Sequence, residues 1–129
     1  MNVVMIDSHN LAGEADFPVL DLDKFGWQQY LHLEQDEVKD RCWRADIIVS
    51  AAMPIDCSVI DKAFRLKLIV AAGKNYDHID LQAAQKRGIK ICHVPELDCN
   101  DINSSIEICS QVVENINAFV HDRPINLVT

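Results

Sequence analysis

The stretch LKLIVAAGKNYDHIDLQAAQKRGIKICHV, residues 66–94, decides the fold class. It opens on KLIVAA (67–72) and closes on KICHV (90–94), two apolar runs with no polar alternation. Such runs belong to strands covered on both faces, as in a parallel sheet. Between them, DLQAAQKRG (80–88) has the marks of a short helix: Asp80 as N-cap, Lys86 and Arg87 in the last turn, and Gly88 as terminator. Strand, helix and strand in this order form a crossover unit, and crossovers between parallel strands are right-handed.

Outward from this unit the pattern repeats. VVMI (3–6) and DIIVS (46–50) are further unalternated runs, with a weaker one, QYLHL (29–33), between them. Helices are expected over EQDEVKDRCWRA (34–45), with Val38, Cys42 and Ala45 on one stripe, and over DCSVIDKAF (56–64), with Asp56 as N-cap and Val59, Ile60 and Phe64 inward. The order predicts a flavodoxin-like, three-layer αβα fold on a five-stranded parallel sheet, strand order 2-1-3-4-5. A long C-terminal helix is expected from Asp101 to about His121. Ile102, Ile106, Cys109, Val113, Ile116 and Val120 form its apolar seam, and Ile108, Val112 and Phe119 widen it.

The totals narrow the function. A length of 129 residues with 49% hydrophobic and 25% charged residues suits one globular domain. A formal charge of −8 argues against a nucleic-acid partner. No apolar run approaches the roughly 20 residues of a membrane span. MNVVMIDSHN lacks the basic start and small-residue cleavage site of a signal peptide, so a cytoplasmic location is expected. Five cysteines, none in a C-x-x-C pair, suit reduced thiols. CHVPELDC brings Cys92, His93 and Cys99 close in sequence, but without metal-ligand spacing, and no metal is expected.

Residues 45–96 resemble the substrate domain of the D-isomer-specific 2-hydroxyacid dehydrogenases, and within that family the glycerate (hydroxypyruvate) dehydrogenases. The shared pattern is carried by Leu66, Lys67, Ile69, Gly73, Asp77, Asp80, Leu81, Ala83, Ala84, Arg87, Gly88, Ile89, Val94 and Pro95. VVMIDSHNL resembles the family's first strand and turn, and VVENINAFVHDRPINLV (112–128) its final helix and tail. One substrate-domain unit over 1–129 is therefore expected, its flanks 1–96 and 101–129 joined by 97–100. Two departures stand out: Lys74 replaces a small or neutral residue, and VPEL replaces VPG at Glu96.

In the family a nucleotide-binding domain lies between such flanks, uses NAD(P), and supplies the acid/base His, its carboxylate partner and the substrate-orienting Arg. Here the interval LDCNDINSSIEICSQ (97–111) is too short for that domain, since one βαβ unit takes about 30 residues. No two of the four glycines have G-x-G-x-x-G spacing. His9, His32, His78, His93 and His121 match no catalytic motif. The resemblance thus implies half a substrate site, with no catalytic residue, no cofactor and no hydride transfer alone. Backbone N–H groups around Ala72, Gly73 and Lys74 are expected to hold the carboxylate of a small 2-oxo or 2-hydroxy acid, with Met53 at the rim. A homodimer through the last helix, using Ile108, Val112 and Phe119, is also expected. The alternative is a regulatory or protein-interaction module on the same fold, a pseudoenzyme docking through the former interdomain face. A receiver domain is disfavoured: Asp7 is present, but no Lys follows the fifth strand. An FMN site is disfavoured by the acidic turn DSHNLAGEAD.

Overall fold

The computed structural model describes residues 1–128. Five parallel strands, β1 (Asn2–Met5), β2 (Gly26–Gln29), β3 (Ile47–Ser50), β4 (Leu68–Ala71) and β5 (Lys90–Cys92), form one sheet in the order β2-β1-β3-β4-β5. This is the order expected from the sequence. Every residue of β3 and β4 is buried, which is why their sequences show no alternation.

Alternate side chains feed two cores. Val4, Ile6, Ile48 and Ile69 face α1 (Gln35–Cys42), α2 (Cys57–Lys62) and α3 (Leu81–Lys86), packing with Val38, Val59, Ile60 and Ala84. Val3, Met5, Ile47, Val49 and Val70 face the long helix α4 (Ser105–Val120) and the irregular segment 11–25. The helix starts follow their acids. Asp56 accepts from Val59 N–H at 3.1 Å, Asp80 from Ala83 N–H at 3.1 Å, and Glu37 reaches back to Glu34 N–H at 2.9 Å. Gly88 ends α3 at φ +70°, a conformation that glycine adopts without steric cost.

Three local expectations are corrected. The second strand is Gly26–Gln29, not 29–33, because the parallel register pairs Asn2 with Gly26 and Met5 with Gln29. At an edge a polar strand costs little, since one side is open to water; Leu31 is 74% exposed. Phe64 faces out, not in, at 63% exposure. The chain turns at Ala63, where the Arg87 guanidinium donates to the carbonyls of Ile60, Ala63 and Phe64.

The last helix is rotated relative to the expected seam. Ile102 lies in a short 3-10 turn ahead of α4 and is 67% exposed, and Ile106 is 76% exposed. The stripe against the sheet is Ser105, Ile108, Cys109, Val112, Val113 and Ile116. The N-terminal segment sets this rotation. Gly13 N–H donates to Ser105 Oγ at 2.8 Å, and Asp21 N–H to Asn117 Oδ1 at 2.9 Å. Ile108 and Val112, expected at a dimer contact, are completely buried in their own core, and Phe119 packs against the same core.

Candidate functional site

Ligands of open α/β sheets bind at the C-terminal ends of the strands. Here the loops after β1, β3 and β4 meet around a cleft of about 320 Å³, lined by Asn10, Ala51, Ala52, Asn75, Asp77, His78, Cys99 and Asn100.

Asp7 organises one wall. Its buried carboxylate accepts from the successive N–H groups of Ala51 (2.9 Å), Ala52 (2.8 Å) and Met53 (2.7 Å), and from Asn10 Nδ2 (2.7 Å). Three consecutive N–H groups make an anion nest. The protein's own carboxylate fills it, so an external anion has no place there.

Of the N–H groups expected to hold a carboxylate, two are used by the chain itself. Ala72 N–H extends the sheet ladder to Ser50 O at 2.9 Å, and Lys74 N–H donates to Leu97 O at 2.7 Å. Gly73 sits at φ +154° beneath the segment 97–99, where an added Cβ would lie 3.3 Å from Cys99 N. This glycine permits close backbone approach by the chain itself. Met53 packs towards the helix-side core. None of the four lines the 320 Å³ cleft; Lys74 lines a neighbouring hollow with Asn75, Tyr76 and Asp77. What remains open is the next stretch of loop. The N–H groups of Gly73 and of residues 75–78 make no hydrogen bond among the described residues.

His78, Asp7 and Asn10 are the site residues that sequence reasoning missed. His78 has a side chain only 9% exposed, with Nε2 3.3 Å from Ser50 O. Its signal was its position one residue after Asp77 in the loop following β4. For Asp7 the signal was an acid directly after a fully apolar strand.

The cleft holds no activated nucleophile. Burial, reinforced by the charges of Asp98 and Asp7, pushes the Cys99 thiol up and keeps it protonated. Cys92 faces inward, and burial raises its thiol to about 12. Among the described residues no three His, Cys, Asp or Glu side chains are grouped to hold a metal ion. None of the described helices is long and apolar enough to cross a membrane.

A dinucleotide does not fit these residues. Its pyrophosphate needs a glycine-rich turn against the N–H groups of a helix N-terminus. Here the helix starts carry Glu34, Asp56 and Asp80, and Asp101 caps the turn before α4. Each of these places an anion where the pyrophosphate would sit.

Known proteins agree with this architecture. The chain is 35% identical over 65 residues to the hydroxypyruvate reductase of Thermotoga maritima, an overlap covering 50% of this chain and 21% of that protein. It is 34% identical over 65 residues to the D-3-phosphoglycerate dehydrogenase of Methanocaldococcus jannaschii, covering 50% and 12%. Among solved structures, the NAD+-bound 3-phosphoglycerate dehydrogenase of Entamoeba histolytica superposes with a TM-score of 0.59 at 22% identity, over 74% of this chain and 33% of that one. That likeness is one of fold. The matched region amounts to a third or less of each relative. The sequence model of the D-isomer specific 2-hydroxyacid dehydrogenase catalytic domain matches residues 11–129. With the sheet order and the cleft at its strand ends, that match places the chain in the D-isomer specific 2-hydroxyacid dehydrogenase family, as a catalytic domain of it.

Proposed function

We propose that this chain forms the substrate-side wall of a 2-hydroxyacid dehydrogenase site and binds small 2-oxo or 2-hydroxy carboxylates weakly. The observation that carries the reading is the set of N–H groups, at Gly73 and residues 75–78, without a partner among the described residues, beside the cleft at the strand ends. Lys74 adds the one cationic side chain of that loop. Asp7 and Asp77 oppose an anion, and the filled nest at residues 51–53 removes a second anchor. The affinity is accordingly about millimolar, or roughly 4 kcal/mol.

The residues present supply no hydride donor, because nicotinamide chemistry belongs to the cofactor. Hydride transfer then needs a dinucleotide held by residues other than these. Chemical-shift titration with hydroxypyruvate, glyoxylate and glycerate tests the binding. The amides of Gly73 and residues 75–78 should move first and saturate. Shifts confined elsewhere, or none at tens of millimolar, reject the site. In the same samples NADH should not be oxidised on adding hydroxypyruvate. Turnover by the purified 129-residue chain would show that a cofactor site exists within it.

A homodimer through the last helix is also proposed, now on different residues. Ile102 and Ile106 are the apolar side chains exposed at the start of that helix, and a two-fold contact there would cover both.

A further inference from the structure

A second cavity, of about 400 Å³, lies on the helix-side face of the edge strand, away from the cleft at the strand ends. It exists because β2 pairs only with β1 and carries little bulk on that face. Gly26, paired with Asn2, has no side chain, and Gln28, paired with Val4, is polar. The end of α1 and the following turn close it with Arg41, Trp43 and Arg44.

Both arginines are exposed and lie over aromatic rings. The Arg41 guanidinium lies 5.9 Å from the Tyr30 ring centroid, and that of Arg44 lies 4.4 Å from the Trp43 ring centroid. Stacking uses the flat face of a guanidinium and leaves its edge N–H donors free to fork onto an oxyanion. Neither arginine is paired with a carboxylate among the described residues. The acid beside them, Asp40, is bound to Lys62 at 2.9 Å. Asp46, nearby, accepts from Asn2 N–H at 2.7 Å and lies 3.8 Å from Arg65. Both guanidiniums are exposed at the wall of one cavity, which the Asp40 carboxylate also lines. Arg41 lies in the last turn of α1 and Arg44 in the turn that follows, and both line the cavity. The side-chain amides of Asn2 and Gln28 add neutral donors at the same cavity.

We propose that this cavity binds a small dianion, a phosphate monoester or a dicarboxylate, with Arg41 and Arg44 forking its oxygens and Trp43 as an apolar wall. The site is separate from the cleft and does not depend on it.

The test is titration of the whole, isotope-labelled chain with inorganic phosphate and, separately, succinate, at ionic strength held constant with sodium chloride. The Trp43 indole N–H and the amides of residues 41–45 should shift and saturate at about millimolar concentration, with residues 73–78 unmoved by phosphate. Saturation by either probe supports the dianion site and identifies the preferred oxyanion. The double variant R41Q/R44Q should raise the half-saturation point about tenfold or more, with the resonances of β3 and β4 unchanged. Should that variant not fold, R44K keeps the charge without the fork and should weaken binding several-fold. Shifts that grow linearly with both probes, or that persist equally in the variants, overturn the proposal.

Discussion

At the scale of single residues, Asp7 does more for the cleft than any side chain expected there. Its carboxylate holds three successive N–H groups and one amide, so its loss leaves four donors without an acceptor. Each unsatisfied buried donor costs about 1–3 kcal/mol. Asp7→Ala should therefore lower urea-unfolding stability by roughly 3–5 kcal/mol, after allowing for water entry. Asp7→Asn, which keeps one acceptor oxygen, should lose less. A loss below about 1 kcal/mol for the alanine variant would mean that the loop at residues 50–53 holds itself. The thiols offer a second check. Cys57 is exposed, and the other four cysteines are buried. Burial pushes Cys42 and Cys92 from 9.0 to about 12. A disulfide reagent at pH 8 should modify one thiol quickly and the rest only on unfolding. The folded state keeps these protons while the unfolded chain releases them. Their stabilising effect is thus complete below pH 9 and is lost as pH rises towards 12.

At the scale of elements, α4 shows how a helix can be legible in outline and misread in rotation. Both the exposed Ile106 and the buried Ile108 are isoleucines, and the spacing 102, 106, 109, 113, 116, 120 is regular enough to read as the buried face. The core stripe follows 105, 108, 109, 112, 113, 116 because the segment at residues 11–22 docks beside the helix through Gly13 and Asp21. Val112→Asp should therefore destabilise by about 4 kcal/mol or more, since it buries an unpaired charge. Ile106→Asp should change stability by less than about 0.5 kcal/mol, as surface substitutions do. Thermal or urea melts of the two variants decide the rotation; equal losses would contradict it. The edge strand is the other misreading. QYLHL is more apolar than GWQQ, but pairing with β1 follows the register of the first strand rather than hydropathy.

At the scale of the whole molecule, self-association tests how the surface is used. Sedimentation at tens of micromolar should give a concentration-dependent dimer that Ile106→Asp converts to monomer without loss of fold. A wild-type monomer at that concentration would leave Ile102 and Ile106 as isolated exposed apolar residues, which are common on soluble proteins. The sequence by itself determined the class of fold, the strand order, the helix caps at Asp56 and Asp80, and the family pattern from Leu66 to Pro95. These depend on local chemistry: an uninterrupted apolar run is buried on both faces wherever it goes, and an acid before a helix finds the N–H groups within three residues. Only the tertiary structure decided which amides are free at the cleft. Ala72 and Lys74 give theirs to Ser50 and Leu97, and Asp7 fills the nest at residues 51–53, across separations of 22, 23 and about 45 residues. The same holds for the rotation of α4 and for the open arginines beside β2. Each depends on a partner distant in the chain, and no local pattern encodes which of several nearby donors and acceptors will meet.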